Sequence, residues 1–534
     1  MSSSDFQTNF LLASAIDAHK RDHLIEAADF YAKLLKISPH HSDATHLIGL
    51  IAFQSNNFVE AKNKIELAIE YDANVFLYHA NLGRVCMAMG EYIVACNAWL
   101  QALILEPNSY DTHFDLSGVF LKLGKFEKAL VHADAAITLQ GTNPQVLINK
   151  TLAHNNLANE QRDQMCFSEA IINYIEALKI APNESDVHSN LGVAYQEQGD
   201  IEQAIICYIE AIRLDTGNAE AHRNLGMAYL KIGDFNKGWK EYEWRWKTHH
   251  FKTLRRNWSK PSWLGDDVKA KTLLVHCEQG FGDTLQFSRY LPLVAKKVDR
   301  LIVETPKELV ELIQRIDGVD KVITAGMHLP KFDLQIPMLS LPYAFKTLID
   351  TVPATIPYLN TSDNKVHLWL DRLAKKESDV LVGLAWRGGE THQRNAMRSP
   401  GLEAFKNLLY QDYNIRFICL QKDQGAEDLS KFHWAKNVEF FSDQLKSFDD
   451  TAALVSCLDI VVTPDTAIAH LSGGLGIHTM LMLPKVSEWR WLQKRKISPW
   501  YPNTTIIRQK NKGSWELVVS KIKKIISDEY LSNE

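Results

Sequence analysis

Small residues recur in this chain at a fixed step, and that step limits the fold more than any other feature. Gly49, Gly83, Ser117, Gly192 and Gly226 are separated by 34, 34, 75 and 34 residues, and the 75 hides one step of 34 and one of 41. Ala27, Ala61, Ala95, Ala129, Ala170 and Ala204 run in the same phase, with steps of 34, 34, 34, 41 and 34. Pro39, Pro107 and Pro182 mark unit ends. A small residue where two helices cross lets them approach closely, and proline stops the second helix before the next turn. Such a period means stacked units that bury their faces only against neighbours. About seven units fit between residue 8 and about 250. Ala15, Ser117 and Thr151 hold the glycine position in the first, fourth and fifth, and the fifth carries seven extra residues near Asn159–Met165, expected in the loop between its helices.

This pattern resembles the tetratricopeptide (TPR) repeat, which implies a superhelix over 8–250 whose groove docks a protein. Residues 1–250 hold 20 Lys+Arg against 31 Asp+Glu, and the remainder holds 39 against 33. An acidic front half speaks against a nucleic-acid partner and for a basic or amide-rich one. The mildly basic back half suits a phosphate-bearing ligand. At 534 residues the chain exceeds one core, and 46% hydrophobic with 23% charged residues describes a globular protein. No run of 18 apolar residues is present, so no membrane span is expected. The N-terminus has no basic flank followed by an apolar stretch, which points to a cytoplasmic chain. Seven cysteines without a C-x-x-C spacing read as reduced core thiols, with no metal site.

Trp239, Tyr242, Trp244 and Trp246, then Trp258 and Trp263, form an aromatic junction over 251–270 and its approach, read as the packing of the last repeat on the next domain. Beyond it strands alternate with helices. Leu273–Cys277, Leu301–Glu304 and Phe332–Pro337 form a first set, in 271–360. Val380–Trp386, Ile415–Leu420, Asp459–Thr463 and Thr479–Pro484 form a second, in 361–534, closed by a helix over about 514–527. Two such blocks predict two open parallel sheets, with ligands at the carboxyl ends of the strands.

Chemistry-bearing residues cluster at those ends. Gly280 and Gly282 precede a helix expected from Thr284 to Ala295, with Asp283 in the turn. Leu285 stands where a dinucleotide fingerprint needs Gly or Ala, so that fingerprint is incomplete. Asp465, Thr466, Ala467 and His470 open a helix after a strand, and Thr466 and His470 share its first-turn face. Unpaired amides and a positive dipole there suit a diphosphate. Arg387, followed by Gly388 and Gly389, ends another strand, with Arg394 and Arg398 in the next loop; Gln421 and Lys422 end a third. Arginine forks match phosphate oxygens. Plainer readings stand beside these: Asp283 and Asp465 as helix caps, His276 as a buried histidine rather than a base, and Lys422 as a surface lysine.

Trp239–Trp246, Glu278-Gln-Gly-Phe-Gly-Asp-Thr-Leu-Gln-Phe287, Pro464-Asp-Thr-Ala-Ile-Ala-His470, Trp489-Arg-Trp491 and Ser498-Pro-Trp-Tyr-Pro502 together resemble a bacterial family in which TPR repeats precede a glycosyltransferase domain. That domain is similar to the heptosyltransferase-like glycosyltransferase family 9, and the plan resembles O-GlcNAc transferase. The resemblance implies a two-lobed GT-B fold, a nucleotide-sugar donor, inversion, and neither metal nor cofactor. It casts 271–360 as the acceptor lobe, with Gly280 and Gly282 on the acceptor side and Asp283 as general base. It casts 361–534 as the donor lobe, with His470 aiding departure of the nucleotide and Arg387, Arg398, Gln421, Lys422, Asp465, Thr466 and Ala467 contacting the donor. The acceptor expected is a protein hydroxyl, flagellin-like by analogy. The alternative is a TPR scaffold whose transferase domain is inactive.

Overall fold

In the computed structural model, which describes residues 3–249, 251, 256, 258–389, 395–410, 414–422, 425–511 and 513–531, the chain opens with helix pairs. They are α1 (Ser3–Lys20) and α2 (Leu24–Ile37), α3 (Ser42–Gln54) and α4 (Phe58–Tyr71), α5 (Phe76–Ala88) and α6 (Tyr92–Leu105), and α7 (Tyr110–Lys122) and α8 (Phe126–Gln140). Then come α9 (Pro144–Asp163) and α10 (Phe167–Ile180), α11 (Ser185–Gln198) and α12 (Ile201–Leu214), and α13 (Ala219–Ile232) and α14 (Phe235–Tyr242). The six alanines that mark the phase are all sealed from solvent. The glycines sit where a pair closes: a methyl added at Gly83 would lie 2.5 Å from the Trp99 ring, and one at Gly226 would lie 2.5 Å from the backbone nitrogen of Tyr242. Ser109, Asn143, Asp200 and Asp234 cap helix starts by accepting from first-turn amides.

The insertion in the fifth repeat is helical, where the sequence reading put it in a loop. Helix α9 has 20 residues against 13 in α7. Seven residues make about two turns at 3.6 per turn, so the buried face keeps its phase and the repeat resumes at Ala170.

Contacts divide the chain into two compact units, Met1–Ala194 and Tyr195–Glu534. The second unit contains α12 to α14 together with the α/β region. There the strands are β1 (Val268–His276), β2 (Val298–Thr305), β3 (Lys321–Thr324), β4 (Leu334–Pro337), β5 (Val380–Leu384), β6 (Ile415–Cys419), β7 (Glu439–Phe440), β8 (Ile460–Pro464), β9 (His478–Leu483) and β10 (Thr504–Arg508). They form two parallel sheets, ordered β3-β2-β1-β4 and β10-β9-β8-β5-β6-β7. In each the chain steps outward and then returns to the far side of its starting strand. The order reverses between β1 and β4 and between β5 and β8, which are the places where open parallel sheets hold ligands.

Strands β3, β7 and β10 escape the sequence reading, the first two being short edge strands of four and two residues. The helix expected from Thr284 begins earlier, as α15 (Phe281–Phe287), and gives way to a 3-10 turn at Ser288–Tyr290 before Leu291–Ala295, where Pro292 stands in the first turn. Within the second unit α13 and α14 share their core with the sheets. Trp239 packs edge-on against Trp489 at 5.5 Å, Phe235 stacks on Trp500 at 5.8 Å, and the Trp239 Nε1–H donates to the Thr347 carbonyl at 3.0 Å.

Gly226→Ala forces a methyl into the backbone of α14 and should lower the free energy of unfolding by about 2–3 kcal/mol. Gly118→Ala, whose methyl meets only Asn149 Nδ2 at 3.7 Å, should leave stability unchanged or raise it by up to about 1 kcal/mol. Urea unfolding of the two variants measures the contrast.

Candidate functional site

The loop after β1 and the helix after β8 converge. Gly280 is the N-cap of α15 and Asp283 its third helical residue. Asp283 does two things at once. Its Oδ2 accepts from the Gly280 amide at 3.2 Å, the capping role, while its Oδ1 pairs with the Arg490 guanidinium. Burial holds the Asp283 carboxyl above the ordinary range, against the pull of Arg490, and the nearby Glu488 adds to the rise. Burial thus outweighs the Gly280 amide, whose hydrogen bond at the helix start favours the carboxylate and would weaken it as a base.

His470 lies in the helix Ala467–Leu475, which Thr466 precedes without a side-chain cap. Its imidazole is buried, stacked on Trp491 at 5.2 Å, with Nδ1 2.9 Å from the Tyr501 hydroxyl. Burial, with Arg490, Arg289 and Arg398 nearby, drives its pKa well below the usual value, so the ring is neutral at pH 7. The opposite ring edge faces the β1 loop: a methyl added at Gly282 would lie 2.9 Å from His470 Cδ2 and 3.5 Å from Nε2. Gly282 is thus required by close approach of the two halves, and Nε2 has no hydrogen bond among the described residues.

The other predicted residues are less uniformly available. Thr466 Oγ1 bonds Thr463 Oγ1 at 3.0 Å, leaving the first-turn amides of Ala467 and Ile468 without a side-chain cap. Arg398 lies over Gly388, where any side chain would overlap it, and its Nη1 donates to the Asp465 carbonyl at 2.8 Å. Arg387 pairs with Asp428 at 2.7 Å, and Asp428 also accepts from Trp386 Nε1. Gln421 Oε1 accepts the backbone amides of Trp386 and Arg387, so it ties β6 to β5. Lys422 is exposed. Arg394 lies outside the described residues. Asp465 is raised to about 6, first by burial and then by Glu488.

The sequence reading missed the residues that hold these parts in place. Arg490 Nε donates to Gln286 Oε1 at 2.8 Å and Nη1 to Glu488 Oε1 at 2.6 Å, besides the pair with Asp283. Arg289 donates to the Trp500 and Pro353 carbonyls and to the Tyr358 hydroxyl, and lies over the Tyr501 ring. Arg245 is fully buried against Glu278, at 2.8 and 2.6 Å. A signal existed: Trp244-Arg-Trp246 and Trp489-Arg-Trp491 each enclose an arginine in aromatic residues, and a cation so placed needs a buried acid.

A TPR-repeat family model matches residues 166–199 and 195–233. Protein FlbA of Caulobacter vibrioides is 22% identical over 97% of this chain and 89% of its own length. Among solved structures, E. coli ADP-heptose LPS heptosyltransferase II aligns with 49% of this chain and 98% of its own, at 12% identity and a TM-score of 0.37. YrrB, a TPR protein with an unusual peptide-binding site, aligns with 36% of this chain and 96% of its own, at 20% identity and a TM-score of 0.30.

Asp465 is expected to be ionised at pH 7.5 at a cost in stability, because its native pKa of about 6 lies above its ordinary value. Protonation of the native carboxyl relieves that cost as the pH falls through 6. Asp465→Asn should therefore stabilise the protein by about 1–2 kcal/mol at pH 7.5 and by roughly half that at pH 5. Thermal melts at the two pH values test the sign.

Proposed function

We propose that the chain is a glycosyltransferase that moves a sugar from a nucleotide-sugar to a hydroxyl of a protein held by the repeats. The observation that carries this is the meeting of Gly282 and His470, with Asp283 and the uncapped helix start after β8 at the same junction. In this reading the amides of Ala467 and Ile468 receive the diphosphate, and Arg398 fixes the backbone in front of them. With the Tyr501 hydroxyl donating to Nδ1, His470 keeps its proton on Nε2 and donates to the departing phosphate. The acceptor oxygen attacks the anomeric carbon as the bond to phosphate breaks, and its proton passes to Asp283, whose raised pKa suits that task. Direct displacement inverts the anomeric centre. No step in this scheme calls for a metal, and the site would work in a cytoplasmic setting.

The repeats supply polar groups for an acceptor. Half-buried Asn81, Asp115, Asn149 and Asn190 each stand two residues before the small-residue position. Asn81 Nδ2 bonds His46 at 3.0 Å and Asn149 Nδ2 donates to Ser117 at 2.9 Å. Such a row suits the amides of an extended peptide.

One observation favours the scaffold reading instead: the Asp283 carboxylate is already held by Arg490. Calorimetry over a panel of nucleoside diphosphates separates the two. The transferase reading expects one of them to bind saturably and His470→Ala to weaken it about ten-fold, the worth of one hydrogen bond to a charged group. It also expects a sugar-sized mass on one protein from cells that contain the chain, absent from cells that lack it. No binding across the panel and no mass difference would leave only the scaffold.

A further inference from the structure

A cavity of about 780 Å3 opens at the carboxyl ends of β1 and β4, the point where the strand order of the first sheet reverses. Residues of the segment after the last repeat, among them Trp246, Trp258 and Trp263, form its walls together with Tyr343. Neither Asp283 nor His470 lines it. Arg245 bonds Glu243 and Ser340 of the cavity wall and also Glu278, so this buried cluster stands between the cavity and the loop that bears Asp283.

Three neutral polar groups inside, Ser262, Gln335 and His276, are hydrogen-bonded in a row. Gln335 Nε2 donates to Ser262 Oγ at 2.9 Å, which turns Gln335 Oε1 toward His276 Nε2, 3.1 Å away. His276 must then carry its proton on Nε2, and Nδ1 presents a lone pair. Burial keeps the ring neutral. Trp258 stacks on the same imidazole at 5.6 Å, and Nδ1 has no hydrogen bond among the described residues. The charged groups are spent or peripheral. Arg256 pairs with Glu304 at 2.5 Å, Glu243 accepts from Ser340 and Arg245, and Lys240, Asp266 and Lys346 are exposed. Among the described residues the lining cations without an ion pair, Lys240 and Lys346, stand at the exposed edge, and a purely apolar group would leave the His276–Gln335–Ser262 relay unanswered.

We propose that this cavity binds a neutral saccharide ring, one hydroxyl donating to His276 Nδ1 and a C–H face lying on an aromatic wall. The size fits a one- or two-ring unit. The site rests on the cavity alone and holds whether or not the cleft transfers a sugar.

Hydrogen–deuterium exchange on the full chain, with D-glucose, D-galactose and N-acetyl-D-glucosamine titrated to tens of millimolar, tests this without any activity. At least one sugar is expected to protect residues 258–266 and 334–346 saturably. His276→Phe keeps the ring and the stack on Trp258 but removes the acceptor, and should weaken that sugar about ten-fold. Tyr343→Ala, at an exposed rim position, should weaken it as well. The proposal is overturned if no sugar protects these segments, if protection falls on 465–475 instead, or if His276→Phe binds as tightly as the unaltered chain. Protection of the same segments by a nucleoside monophosphate or a peptide, with no response to the sugars, overturns it equally.

Discussion

Arg245 and Arg490 each stand at the centre of a Trp-Arg-Trp triplet, and each gives its guanidinium to one acid of the segment after β1. Arg245 takes Glu278 and Arg490 takes Asp283. Both cations are buried, so each acid is the condition for the other's presence: removing one partner of such a pair typically costs about 3–5 kcal/mol, because the survivor is left charged in a dry place. The segment Glu278–Asp283 is thereby clamped from two sides. One clamp comes from the chain that follows the repeats, the other from the turn after β9. The short helix α15, the close approach of Gly282 to His470 and the orientation of the Asp283 carboxylate all depend on these two clamps.

The clamps also explain why the last repeat belongs with the α/β region. Helix α14 leads directly into Glu243–Lys247, where Arg245 sits, and Trp239 one turn earlier packs on Trp489 beside Arg490. Aromatic faces surround both guanidinium groups at 4–6 Å, at Tyr242 and Trp246 for Arg245 and at Trp489 and Phe287 for Arg490. Cation–π attraction offsets part of the desolvation that burial imposes. A junction legible as a run of tryptophans is thus also the wall that supports the candidate site.

Electrostatics at that site is set by burial more than by formal charge. Asp283 and Asp465 are both raised although arginines stand beside them, and His470 is lowered among three arginines. Separated titrations of this kind let one group accept a proton while its neighbour donates one. Two residues that look like ligand contacts in sequence also hold the scaffold: Gln421 ties two strands, and Arg387 is matched by Asp428. Side chains at strand ends are shared between the two tasks, and only their partners tell which.

The sequence by itself determined the repeating helix pairs, the two strand–helix alternations and the turns that carry Asp283 and His470. Each of these is written in spacing within one or two elements: small residues every 34 positions, apolar runs of four to seven, a glycine turn before a helix. It misjudged the seven-residue insertion because loop and helix look alike when two full turns preserve the phase. Tertiary structure alone decided which acid meets which arginine, since the pairs lie 33 and 207 residues apart, and it alone fixed the burial that moves the pKa values. It also built the His276–Gln335–Ser262 relay, whose members are 59 and 73 residues apart. Local periodicity survives in any fold of these elements, whereas a buried charge finds its partner only when the strand order and the packing of the two sheets have put both in one place.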